Sequence, residues 1–467
     1  MSGATAGPVR AGWLPGLVFA AVLGPQLALV AAAGTDAPFH DQWGVEGQWL
    51  YPAWRDGTLT AAGLFQPVNE HRIVWTQLLN LGLFAANGQW DPLVQLGAMA
   101  GLRAACAAGL AWAVARRLSL ATQAAVAAAV TWAFLPHLAW HGVLWGFESQ
   151  VDFALGFSLL ALGLLGVEAP SRGRMAAGLV AGAAALLAMG AGAMVPVALT
   201  GLALLRIVER RDVTRAQVVA IWPAALLLAF AWWLRVEVPE HAALKPAGWP
   251  DFFAALGRVL AWPHGGGPGV AVVLNLPLLA VVLTRGLRRR SPAPAEDRVV
   301  LFGGWSVALA LATAWSRGGG PELQAGVPSR YVDFVVLLPL ANVWCAVVLA
   351  RAAAGRRGRI GRFAAVAWGA FLLTGWLGLS AEVMRGLVLP RAADRAAPVR
   401  LLRAYQESGD AAVFAGQPRL LVPHPNPAVV RAVLDDPRLR GALPPSLQTE
   451  RPLGPLSRAV RWLLGPQ

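Results

Sequence analysis

The residues best able to do chemistry lie in two short runs of one polar stretch, His40-Asp41-Gln42-Trp43 and Asn69-Glu70-His71-Arg72. Between Gly34 and Pro92 they gather carboxylates, imidazoles, a guanidinium and indoles in a chain otherwise dominated by Ala, Leu, Val and Gly. Asp41 has Phe39, Trp43 and Trp49 as neighbours. A carboxylate held among apolar rings loses solvation of its charged form, which tunes it toward work as a general base. Asp is also a common helix N-cap, so the plainer role is to cap a short helix over about Gln42 to Trp54, and the two roles are compatible. Asp36 and Glu46 are each five residues from Asp41, so the three share no helix face. Glu70, His71 and Arg72 head a second short helix, where Glu suits the positive end of the helix dipole. Together they offer an acid, a proton carrier and a phosphate ligand. Asp41, Glu70 and His71 are the candidate catalytic groups, with Trp43, Glu46 and Arg72 as candidate substrate contacts.

Later segments add to this set. His141 and Glu148 fall in the polar stretch 136–150, and Arg330-Tyr331 heads a later apolar run. All four are candidate substrate contacts, because the planar guanidinium of Arg330 at a membrane surface would chelate a lipid phosphate. An interfacial arginine beside an aromatic-belt tyrosine is the commoner meaning of such a pair. Arg317 and Lys245 are further candidates of lower weight. Arg103 lies midway along an apolar run, where burial is costly and an acid partner is expected; Glu148 and Asp152 are candidates. P-loop and GxSxG signatures are absent, and the scattered histidines lack zinc-site spacing.

What must position these groups is set by composition. Of 467 residues, 57% are hydrophobic and only 14% charged. Mean hydropathy is +0.53. Apolar runs of about 20 residues recur, each long enough to cross a hydrocarbon core of roughly 30 Å. The chain therefore reads as an all-α polytopic membrane protein. Its net charge of +14 resides almost wholly in arginine. Those arginines occupy short connectors, which reports topology and argues against nucleic acid as a partner. Cys106 and Cys345 both fall inside apolar runs, so no disulfide framework is indicated. The run 13–33, preceded by Arg10, is long for a signal sequence and reads as an anchor.

The expected spans, about eleven in number, are 13–33, 93–115, 119–138, 151–167, 175–190, 192–207, 217–235, 269–284, 299–316, 331–350 and 363–380. The pair within 175–207 is short and reads either as two helices around Gly190-Ala191-Gly192 or as one re-entrant unit. Residues 72–87 are short for a crossing and polar on one side, so they read as an interfacial or re-entrant helix. Parity supports this, because all the Arg-rich connectors then fall on the cytoplasmic side: Arg116-Arg117, 171–174, 206–215, 285–298 and 351–362. All seven histidines then lie at or just beneath the opposite surface. The expected organisation is a transmembrane module over 1–380, with a large first outer loop at 34–92 that carries juxtamembrane helices. A small extracytoplasmic tail follows at 381–467, ending in an amphipathic basic stretch, Leu453 to Leu464. No internal repeat is evident, which disfavours an inverted-repeat transporter.

One span, a large outer loop with an early Asp, juxtamembrane helices, then many spans with a basic residue on a later outer loop: this layout resembles the GT-C superfamily of integral membrane glycosyltransferases. The likeness covers roughly Trp13 to Ser380. The runs His40-Asp41-Gln42-Trp43, Asn69-Glu70-His71-Arg72 and Ser329-Arg330-Tyr331 are similar to those of bacterial members. The resemblance implies sugar transfer from a polyprenyl-phosphate donor to a lipid, glycan or protein acceptor, on the outer side of the bacterial inner membrane. It implies Asp41 as base and Arg330 as the holder of the donor phosphate. Many members carry two adjacent acids where this chain has Asp41-Gln42, which leaves the second acid open among Asp36, Glu46 and Glu70. It also leaves metal dependence open, a divalent cation being a candidate. A transporter or flippase of lipid-linked glycans, or a glycan ligase, is the alternative.

Overall fold

The computed structural model describes residues 12–210, 215–288, 294–352, 355–448 and 450–465. Arg10 and the connector stretches 211–214 and 289–293 lie outside the described residues. Regular structure among the described residues is helical throughout.

Eight helices are long and apolar enough to cross a bilayer: Leu14–Ala33, Pro92–Ala115, Gly146–Leu165, Gly190–Arg210, Pro268–Leu287, Pro294–Arg317, Ser329–Ala352 and Gly358–Ala393. Three more stretches expected to cross are helical. Leu120–Ala133 and Arg172–Leu186 are short, with 14 and 15 residues, whereas Arg215–Leu234 has 20. At 1.5 Å per residue, 15 residues reach only about 22 Å. The Arg172–Leu186 and Met194–Arg210 helices meet at a tight turn, Gly190–Ala193. The last span continues past residue 380 through the Met384–Val388 turn into Leu389–Ala393.

The bundle wears its apolar residues outward. Trp222, Trp232, Trp233, Phe363 and Val366 are largely exposed, as lipid-facing positions must be when no hydrophobic force drives them inward. Inside the bundle, Arg103 forms a buried ion pair with Asp333. The acid in direct contact with Arg103 is thus Asp333 from a distant helix; Asp152 interacts with the same guanidinium without contact, and Glu148 forms no pair with it.

Helix directions create two distinct ends. Ser149–Leu165 starts beside Glu148 and ends at Gly166, close to Arg206 and Arg174. Pro294–Arg317 runs the other way, from Asp297, which pairs with Arg206, to Arg317, which pairs with Glu70. Glu148 and Glu70 therefore lie at one end of the bundle and Arg174, Arg206 and Asp297 at the other, roughly 25–35 Å apart for helices of these lengths.

At the Glu70 end, the first loop and the tail fold together. Trp43, Leu50, Tyr51, Phe84 and Trp90 of the loop share one core with Leu402, Tyr405, Phe414, Val430, Val433 and Leu439 of the tail. Tyr51 stacks on Phe84 at 4.1 Å, and Trp43 meets Trp90 edge-on. The final helix, Pro455–Leu464, folds back. Its Ser457 hydroxyl donates to Asp91 at 2.6 Å, and its Arg461 pairs with both Asp91 and Asp36. The tail is consequently one half of a cap whose other half is the first loop. The 14-residue helix Val74–Asn87 lies inside this cap and is too short to cross.

Candidate functional site

A cavity of about 830 Å³ opens between this cap and the bundle. Six separate stretches of chain supply its polar wall: His40 and Asp41, then Glu70 and His71, then His141 and Glu148, then His241, then Arg317, Glu322, Arg330 and Tyr331, and last Arg419 of the tail.

Asp41 stands at the head of a wide helical turn, Gln42–Leu50, in the N-cap position. Its side chain makes no capping bond there. Capping is therefore not what this carboxylate does. Burial raises its pKa, opposed by the positive charges of His424 and Arg330. Gln42, where an adjacent acid might have stood, is consumed by structure. Its Oε1 accepts from the Phe39 amide at 3.1 Å and its Nε2 donates to Gln95 at 2.6 Å.

The backbone around the cavity is strained where it must be. Among the described residues, the non-glycine positions with positive φ are His40 (45°) and Asn69 (51°), and both line the cavity. Such conformations cost energy and persist only where neighbours enforce them. For His40 the enforcement includes a 2.6 Å bond from its amide to the Pro423 carbonyl of the tail. Each departure from regular structure turns the following residue, Asp41 or Glu70, toward the opening.

The remaining carboxylates differ in their partners. Glu70 forms an ion pair with Arg317, and its second oxygen lies 2.6 Å from His241 Nδ1. Glu322 binds Arg330 and, at 3.4 Å, Arg419. Burial pushes the Glu322 carboxyl up, but Arg330 and Arg419 pull harder and leave it below its ordinary value. Glu148 is 2% exposed, with His141 Nδ1 at 3.9 Å and no hydrogen bond to its Oε2. Asp41 and Glu148 are thus the cavity carboxylates in no direct arginine ion pair among the described residues.

Three of the cavity imidazoles, His40, His71 and His141, are kept neutral. Burial lowers His40 and His71 to about 4 and His141 to about 3. His71 accepts the Gly190 amide on Nδ1 at 3.3 Å. A side chain at Gly190 would begin 3.1 Å from that ring, so glycine in the Gly190–Ala193 turn is what allows the approach.

Seven of the ten sequence-derived site residues line the cavity: Asp41, Glu70, His71, His141, Glu148, Arg330 and Tyr331. Trp43, Glu46 and Arg72 do not. Trp43 is fully buried, its indole N–H donating to Pro38 O at 2.8 Å. Glu46 is buried in a polar knot in which it accepts from Asn80 at 2.8 Å, Gln95 at 2.8 Å and Tyr51 at 3.0 Å. Arg72 reaches back to the Phe65 carbonyl at 2.5 Å. Asp36 binds Arg461 at 3.0 Å and the Ser446 amide at 2.9 Å. Of the three candidates for a second acid, only Glu70 faces the cavity.

Glu322, His241 and Arg419 went unassigned in the sequence. Glu322 sits between Gly318-Gly319-Gly320 and Gly326, a loop signal that was readable; His241 and Arg419 arrive through tertiary contacts alone. Among the described residues no group of three or more His, Cys, Asp or Glu is arranged to hold a metal ion.

The arrangement offers a hydrogen-bond-free carboxylate to take a proton, neutral rings to stack on or accept from, and an arginine to meet an anion. Comparison with known protein families, with curated proteins and with solved structures gives no match.

Proposed function

We propose that this protein is an integral membrane glycosyltransferase, moving a sugar from a polyprenyl-phosphate donor to a lipid, glycan or protein acceptor at the outer face of a bacterial inner membrane. The observation that supports it most is the meeting of Asp41, whose side chain makes no hydrogen bond among the described residues, with Arg330 in one cavity at the mouth of an apolar bundle.

In this reading Asp41 accepts the proton of the acceptor hydroxyl as its oxygen bonds to the anomeric carbon. The bond from that carbon to the donor phosphate breaks, and polyprenyl phosphate leaves with the electron pair. Arg330, stacked 5.0 Å over Tyr331, has five donors and spends one nitrogen on Glu322, so it can still meet the phosphate. Glu148, His141 and Trp145 form an acceptor and stacking wall for sugar hydroxyls and ring faces. Arg317, held by Glu70, completes the positive side.

One observation favours a second reading, a transporter or flippase of lipid-linked glycans. Beneath the cavity, Asp152 Oδ1 is buried without a hydrogen bond near the Arg103–Asp333 pair, and ionisable groups inside a bundle commonly mark transport paths. Purified protein incubated with radiolabelled polyprenyl-phosphate sugars separates the two. Release of polyprenyl phosphate and labelled product supports transfer; saturable binding with no donor breakdown across a panel of acceptors supports transport.

A further inference from the structure

A second polar cavity, of about 510 Å³, lies at the opposite end of the bundle, in the size range of small-ligand pockets. Its acids are Glu168, Glu209 and Asp297, and each is already engaged. Glu168 pairs with Arg210, Asp297 with Arg206 at 2.7 Å, and Glu209 with Arg285 at 2.5 Å.

Four more arginines in the wall, Arg116, Arg117, Arg174 and Arg298, form no ion pair with a carboxylate among the described residues. Arg298 donates to the Ala113 carbonyl at 2.8 Å and Arg174 to the Gly163 carbonyl at 3.3 Å. The Arg116 guanidinium carbon lies over the Trp112 ring, 4.0 Å from its centroid. The Nε atoms of Arg116 and Arg174 are buried with no hydrogen-bond partner. Burial, then the charges of Arg117 and Arg174, hold the Arg116 guanidinium below its ordinary pKa.

A solvated basic face would spread such charges into water. Here backbone carbonyls and an indole hold three of them around one concavity, with donors left over. Like charges fixed in this way repel one another until an anion arrives. Planar guanidinium forks match phosphate oxygens two at a time.

We infer that this cavity is a binding site for a phosphate-bearing anion, built on Arg116, Arg117, Arg174 and Arg298 and separate from the cavity that holds Asp41. The phosphate belongs to an anionic phospholipid headgroup or to a soluble phosphate, and the chemistry of recognition is the same. The inference does not depend on glycosyl transfer.

The test uses the full chain, purified in detergent. One arm measures by native mass spectrometry how much phosphatidylglycerol, against phosphatidylcholine, stays bound. The other follows the thermal midpoint as inorganic pyrophosphate is added at low salt, with chloride at matched ionic strength as control. The site predicts preferential retention of phosphatidylglycerol, a rise in midpoint with pyrophosphate, or both; the first alone identifies a lipid headgroup and the second alone a soluble phosphate. Arg174→Gln with Arg298→Gln is expected to weaken the effective anion by roughly tenfold or more, the scale of losing charge-assisted bonds. Arg400→Gln, on the surface of the tail, is expected to change nothing. If the double variant does not fold, Arg174→Lys with Arg298→Lys keeps the charge and loses the forks, and intermediate affinity is expected. Wild-type protein that prefers neither anion overturns the inference, as does undiminished anion binding by the folded glutamine or lysine pair.

Discussion

Asp41 and Glu46 are two carboxylates on one helical turn, five residues apart, and they have opposite surroundings. Glu46 is 1% exposed and accepts from Asn80, Gln95 and Tyr51. Asp41 borders a large cavity and makes none of the bonds its position would permit. Burial raises the pKa of both, Glu46 to about 7. A raised pKa alone therefore does not distinguish a working acid from a structural one. The partners do, because a group whose oxygens are already occupied by fixed donors has nothing to offer a substrate, whereas an unoccupied one has.

Substitution sharpens this contrast most. Asp41→Asn is expected to reduce donor turnover by about 10²–10⁴-fold, the usual value of a general base, with the thermal midpoint unchanged. Glu46→Gln should show the reverse, near-normal turnover with altered stability. Turnover assays and melting curves on the same preparations would break the comparison if both variants lost activity equally.

Breaking the buried pair with Arg103→Met or Asp333→Asn alone is expected to cost about 3–5 kcal/mol. Replacing both with apolar residues should recover most of it, as measured by thermal denaturation. This separates a buried charge that holds the bundle from one at the cavity that reacts.

The pH dependence of stability comes next. The folded-state pKa of Glu46 is raised from 4.5 to about 7, so its contribution is fully present below 4.5 and is lost as pH climbs through about 7. That loss is worth about 3 kcal/mol, and Glu46→Gln should flatten the corresponding part of the melting-temperature profile. Turnover should move oppositely, rising with pH as Asp41 loses its proton at a value above that of an ordinary aspartate.

Arg330→Ala carries the smallest effect, about 1.5–3 kcal/mol for charged hydrogen bonds to phosphate. It should raise the KM for donor more than it lowers kcat.

The bundle was legible in the sequence because lipid demands long apolar runs and the arginine bias orders them. Eight of the expected spans meet the length requirement, and 120–133 and 172–186 show that an apolar run need not form a helix long enough to cross. Asp41, Glu70 and Arg330 were legible as charged residues at the ends of apolar runs. Trp43 and Glu46 were misleading because residue type and loop membership say nothing about which side of a helical turn faces inward. The partnership of the tail with the first loop had no local signature. Its evidence is the long-range packing of Tyr51, Phe84 and Trp90 against Leu402, Tyr405 and Val433, and Arg419 reaches the cavity only through it.

The account rests on an open carboxylate facing a donor-binding cavity, and carbodiimide footprinting with mass spectrometry reads that directly. Asp41 should be modified in the native protein while Glu46 is not, and polyprenyl-phosphate sugar should protect Asp41. An unreactive Asp41, or one whose labelling the donor leaves unchanged, contradicts it.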